Sequence, residues 1–138
     1  MNATQIALVR SSFAKVEPIA EQAAAIFYDR LFELAPQVRA LFKGDMKEQG
    51  RKLMAMLRTI TLKLDDLDTL VPAAQGLARR HVAYGAKPEH YAVVGQALLD
   101  TLAKGLGDGF KPEVREAWTT AYGLLSKVMI DAAAAEAA

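Results

Sequence analysis

The sequence predicts an all-α, single-domain protein, and three observations carry that reading. Apolar residues recur at steps of three and four along nearly the whole chain. No stretch of adequate length alternates with period two, so no strands are expected. Proline and glycine punctuate the helical pattern at short intervals. A chain of 138 residues is the size of one domain and buries roughly two-thirds of the surface its unfolded form exposes.

The elements follow in order. Asn2 and Gln5 are spaced as a capping box that starts a first helix carrying Ile6, Val9, Phe13 and Val16. Pro18 cannot continue that helix but suits the first turn of a second, which runs to about Leu34. Pro36 opens a short turn with Val38, Leu41 and Phe42, and residues 43–45 form a loop. A third long helix is predicted from about Met46 to Leu64, followed by a polar break at Asp65, Asp66 and Asp68. The next helix bears His81 and ends at Gly85–Pro88. Pro88 and Pro112 each precede a glutamate, Glu89 and Glu113. That pairing starts helices well, because the acid complements the positive end of the dipole. The last two helices are predicted at 88–106 and 112–133, and the alanine-rich tail 132–138 is expected to fray. Gly95, inside the fifth helix, costs about 1 kcal/mol relative to alanine and marks a candidate close crossing.

Composition excludes several classes. Seventeen basic and sixteen acidic residues leave a net charge of +1, which argues against nucleic acid and anionic membranes as partners. The absence of cysteine removes disulfides, thiolate nucleophiles, iron–sulfur and cysteine-type zinc sites, and covalent haem attachment through Cys-x-x-Cys-His. The longest apolar run, residues 23–28, is far too short to span a bilayer. The N-terminus carries Arg10 and Lys15 and lacks an export signal's apolar core. A cytoplasmic location is expected, and nothing in the chain sets an oligomeric state.

Three polar side chains sit on apolar stripes. His81 shares its stripe with Leu70, Ala73, Ala74, Leu77 and Tyr84. Tyr28 lies among Ala24, Phe27, Leu31 and Phe32, and Gln49 shares the stripe of Leu53, Met56, Leu57 and Ile60. Each has a plain alternative: a satisfied core histidine, a tyrosine with its hydroxyl at the core's edge, a glutamine in a frayed first turn. Together they are harder to explain as packing, since buried polar groups need partners. A metal on one histidine is no ordinary zinc site, which takes three or four protein ligands. One protein ligand suffices only if a cofactor supplies the rest, as the four porphyrin nitrogens of haem do. The only other histidine, His90, lies nine residues on and is poorly placed to reach the opposite face of a flat cofactor, so one axial position stays open.

Four segments, FYDRLFELAPQVRALF (27–42), RRHVAYG (79–85), HYAVVGQALL (90–99) and AWTTAYG (117–123), give the chain its resemblance to a known family. Over roughly residues 4–131 it resembles bacterial single-domain haemoglobins related to the globin part of flavohaemoglobins. The resemblance implies a globin fold, a helical sandwich around a haem pocket holding non-covalent haem b. It implies His81 as the proximal iron ligand, Phe42 as the aromatic stacked on haem, and Tyr28 as the distal tyrosine. Gln49 stands where many globins carry a distal histidine, with Leu53 the apolar residue one turn on. Tyr91 matches the tyrosine that abuts the proximal histidine. Where the flavohaemoglobin relatives carry a glutamate that hydrogen-bonds that histidine, this chain has Ala133, and the nearest acids are Asp131 and Glu136. The expected substitute is a backbone carbonyl, that of Leu77. Arg80, Arg51 and Lys52 are candidate partners for the haem propionates, each with an exposed, solvated basic residue as the plain alternative.

The resemblance implies reversible binding of O2, CO or NO, as in oxygen transport, or dioxygenation of nitric oxide to nitrate, a detoxification. The 138 residues hold no flavin or nicotinamide domain, so an external reductase is the expected electron donor for the second activity. A phenol and an amide N–H aimed at the partly anionic outer atom of bound O2 are each worth on the order of 1.5–3 kcal/mol. CO develops less charge and gains less. The missing carboxylate at Ala133 tilts the expectation toward gas binding. A rival class is a phosphotransfer module using His81. It requires an exposed histidine beside lysine and glycine, whereas the neighbours here are Arg80 and Val82. A helical interaction domain without cofactor is the third alternative.

Overall fold

The computed structural model describes residues 1–42 and 44–137, with side chains through residue 135 of the last helix. Six α-helices are joined by short turns: α1 (Ala3–Val16), α2 (Ala20–Leu34), α3 (Met46–Leu62), α4 (Leu67–Ala83), α5 (Pro88–Leu106) and α6 (Pro112–Ala137). Short 3-10 turns lie at Glu17–Ile19, Pro36–Leu41 and Gly107–Gly109. The described residues contain no strand.

Local chemistry explains the ends. The Asn2–Gln5 capping box forms as expected. Pro18 bends the chain through a 3-10 turn, so α2 starts at Ala20 and not in the proline's own turn. The Asp45 side chain accepts the amide N–H of Lys47 and caps α3. That helix stops at Leu62, two residues before the predicted end. There, Arg10 from α1 donates to the carbonyl oxygens of Thr61 at 2.9 Å and Leu62 at 2.8 Å and pairs with Asp65. A cation on the last carbonyls satisfies groups the helix cannot pair itself.

At the end of α4, Gly85 takes φ +91°. Its N–H donates to Val82 and that of Ala86 to His81, which is a Schellman closure. The helix therefore stops before Tyr84, and Tyr84 stands 62 % exposed. The predicted stripe ends at His81. The last helix, α6, continues to Ala137, past its predicted end at residue 133.

α2 packs on α5 and α3, while α6 packs on α4, α1 and α5. The shared core includes Val9, Phe13, Phe27, Leu31, Leu98, Leu102, Trp118 and Leu125. Its buried polar groups are paired. Trp118 Nε1 donates to Ser12 Oγ at 2.8 Å, and that hydroxyl donates back to Leu8 O at 2.7 Å. The anticipated close crossing exists: a Cβ on Gly95 would stand 2.7 Å from the Tyr122 ring. A second lies between α2 and α3, where a Cβ on Gly50 would meet Ala24 Cβ at 2.9 Å.

Candidate functional site

α4 presents His81 from its last turn onto a cleft shared with α3, α5 and α6. Leu77 and His81 come from α4, Met56 from α3, His90, Tyr91 and Val94 from α5, and Tyr122, Leu125, Ser126 and Met129 from α6, with Ala86 at the turn. The cleft encloses about 470 Å³, counting its open mouth, and its wall is almost wholly apolar.

His81 is half-buried. Its Nδ1 lies 2.8 Å from the carbonyl oxygen of Leu77. A carbonyl only accepts, so the proton sits on Nδ1 and the Nε2 lone pair is left for a ligand. Burial lowers the imidazole's pKa below the ordinary histidine value; the Leu77 carbonyl opposes that shift and the charge of Arg80 adds to it. The ring is thereby kept neutral, the form that donates to a metal.

Tyr28 occupies a different place. Its ring packs edge-on to Phe27 and Phe42 at 5.1 and 5.3 Å and stacks on Phe32 at 6.0 Å. Its hydroxyl donates to the backbone carbonyl of Gln49 at 3.3 Å. Burial pushes the phenol's pKa up to about 12, so it remains a donor at neutral pH. Gln49 meets Tyr28 through its main chain, and its side chain is half-exposed. Leu53 is partly buried against the core, one turn before Met56.

The predicted residues thus fall into two groups. His81, Leu77 and Tyr91 line the cleft, whereas Tyr28, Phe42, Gln49 and Leu53 line the α2–α3 side. Arg80 is exposed, and its guanidinium lies toward Gly76, 3.9 Å from where a Cβ there would stand. It is not among the cleft residues, and Arg51 and Lys52 are likewise exposed and outside it. Near Ala133, Asp131 pairs with Lys127 at 3.6 Å, and the Glu136 side chain lies outside the described residues.

Sequence reasoning missed Met56, Ala86, Val94, Tyr122, Leu125, Ser126 and Met129, and it set His90 aside. The spacing of Tyr122, Leu125, Ser126 and Met129 is itself a helical stripe. Nothing in the sequence distinguishes that stripe from ordinary core.

The donor set fits haem and little else. No group of three or more His, Cys, Asp or Glu that could hold a bare metal ion occurs among the described residues. One imidazole lone pair without a protein partner, on an apolar cleft, suits a metal that brings its own planar ligand. Among the described residues, no helix is long and apolar enough to cross a membrane.

The chain is similar to known proteins over most of its length. The family model described as Globin matches residues 25–129. A flavohemoprotein of Vibrio cholerae is 33% identical over 91% of this chain, and one of Rhodopirellula baltica 35% identical over 91%. The aligned part is 33% and 31% of those proteins, so the chain spans about a third of the length of these relatives. A bacterial globin structure from Campylobacter jejuni superposes with a TM-score of 0.82 at 25% identity, covering 96% of both chains.

Proposed function

This chain belongs to the globin family, and from that premise we propose that it holds non-covalent haem b on His81 and binds O2, CO and NO reversibly. The observation that carries the reading is the His81 ring, with Nδ1 tied to Leu77 and Nε2 left over an apolar cleft. When bound, haem would supply an iron that takes the His81 imidazole as its protein ligand and a diatomic gas as a reversible one.

The chain's own residues do the rest. The α4 carbonyl of Leu77 orients the imidazole and fixes its tautomer. Leu77, Met56, Val94, Leu125 and Met129 exclude water from the proximal face. Phe42 and Leu53 supply apolar contact, and Tyr91 flanks the histidine. Tyr28 and Gln49 act as donors to the gas. The Tyr28 hydroxyl exchanges a neutral bond to the Gln49 carbonyl for one to a partly charged atom, which is the stronger kind.

The similarity to flavohemoproteins supports a second reading, nitric oxide dioxygenation. There NO, O2 and one electron give nitrate, with a flavin-bearing reductase supplying the electron. A neutral carbonyl polarises His81 less than a carboxylate would, which favours gas binding over this chemistry.

The test is to reconstitute the protein with hemin and measure its O2 equilibrium and its NO consumption under sustained reduction. An intense near-ultraviolet haem band and saturable, reversible O2 uptake are expected. A chain that takes up no hemin overturns the reading. Catalytic NO consumption, many equivalents per haem, moves the function to the dioxygenase.

A further inference from the structure

The polar groups of the cleft wall can be counted one by one. Tyr122 donates its hydroxyl to the carbonyl of Tyr91 at 2.6 Å, and Ser126 donates to that of Gly123 at 3.2 Å. His81 is committed through Leu77. That leaves the Tyr91 hydroxyl, which has no partner among the described residues, and His90, which shares the cleft with His81 although the two are nine residues apart.

His90 is held in the opposite tautomer. Its Nδ1 accepts the backbone N–H of Lys87 at 3.0 Å. A nitrogen that accepts from an amide must keep its lone pair, so the ring proton sits on Nε2. His81 therefore offers the cleft a lone pair, whereas His90 offers it an N–H. No acceptor for that N–H occurs among the described residues. The ring is half-exposed, at a place where an anion can be bound on one side and hydrated on the other.

We infer that His90 Nε2–H binds a carboxylate of the group seated on His81, that is, a haem propionate. The inference rests on the haem reading and reassigns a role the sequence gives to Arg80. The Arg80 guanidinium lies back along α4 toward Gly76, outside the cleft, whereas His90 is already on the wall and pre-positioned by the main chain. A bond from a fixed donor to a charged acceptor costs little ordering and is strong.

The experiment is a chemical double-mutant cycle on holoprotein. Wild type, His90→Leu, His90→Gln and Arg80→Gln are each loaded with hemin or with hemin dimethyl ester, in which both carboxylates are blocked. The rate at which each pigment transfers to an excess of a tight-binding apoprotein is then followed. Expected for His90→Leu is about tenfold faster loss of hemin, the scale of one charge-assisted hydrogen bond, with ester loss unchanged. His90→Gln, which can still accept from Lys87 and donate an N–H, keeps part of the hemin retention. Equal acceleration of both pigments means a structural role and overturns the assignment. So does a silent His90→Leu, or a hemin-selective loss confined to Arg80→Gln. If the wild type binds neither pigment, the haem reading fails first and takes this assignment with it.

Discussion

The carbonyl oxygen of Leu77 stands 2.8 Å from Nδ1 of His81, one turn away on the same helix. The nitrogen proposed as the metal ligand is thus defined within α4 alone, without a carboxylate from another element. His81→Gly should lose hemin at least tenfold more readily, about 1.4 kcal/mol, because the axial bond is gone while the cleft remains. Added imidazole should restore the wild-type visible spectrum. Retention of wild-type affinity and spectrum in the variant without imidazole would remove His81 as the ligand.

Tyr28→Phe deletes one hydroxyl and leaves the aromatic packing with Phe27, Phe32 and Phe42 in place. O2 dissociation, followed by rapid mixing, should accelerate tenfold or more, about 1.4 kcal/mol. CO dissociation should change much less, since CO carries less charge. An unaltered O2 off-rate removes Tyr28 from the gas site.

The same hydroxyl makes a pH prediction. Burial raises the Tyr28 pKa from 10.0 to about 12, so the fold favours the neutral phenol. Its contribution to stability is complete below pH 10.0 and is lost as pH rises toward about 12. Phenolate absorbance in wild type minus Tyr28→Phe should show a step near the upper value. A step near the lower value would mean that the hydroxyl is solvated.

Two helical glycines predict opposite outcomes for one substitution. A Cβ at Gly95 meets the Tyr122 ring at 2.7 Å, and that ring is pinned by its bond to Tyr91. Gly95→Ala should therefore destabilise by about 1–3 kcal/mol. Gly123 is exposed within α6 and a Cβ there meets nothing within 4 Å. Gly123→Ala should stabilise by about 0.5–1 kcal/mol through helix propensity. Denaturant midpoints check both, and a neutral or stabilising Gly95→Ala would show that the crossing can relax.

Much of this molecule is readable from residue order. Asn2 with Gln5, Pro88 with Glu89 and Pro112 with Glu113 mark helix starts from chemistry confined to four or five neighbours. Gly85 marks the end of α4 in the same way, because few other residues accept its positive φ. His81 could be singled out since its stripe is apolar, and the Leu77 carbonyl could be anticipated since residues four apart in a helix face one another.

The errors are equally physical. Tyr84 continues the periodicity of α4 on paper, but the Schellman closure at Gly85 ends the helix first and leaves the ring in solvent. α6 runs past its predicted end at residue 133, since alanine favours helix even with little to bury. Periodicity also does not see that the atom of Gln49 meeting the Tyr28 hydroxyl is its main-chain oxygen.

Residue order alone pointed to the helices, their phases and His81 as a polar group on an apolar stripe. Those depend on interactions within a turn or two of chain. The composition of the cleft, and above all the presence of His90 beside His81, came from the packed molecule. Its walls are drawn from α3, α4, α5 and α6. Their juxtaposition depends on how closely helices cross, at contacts such as Gly95 on Tyr122 and Gly50 on Ala24, distances that no local pattern encodes.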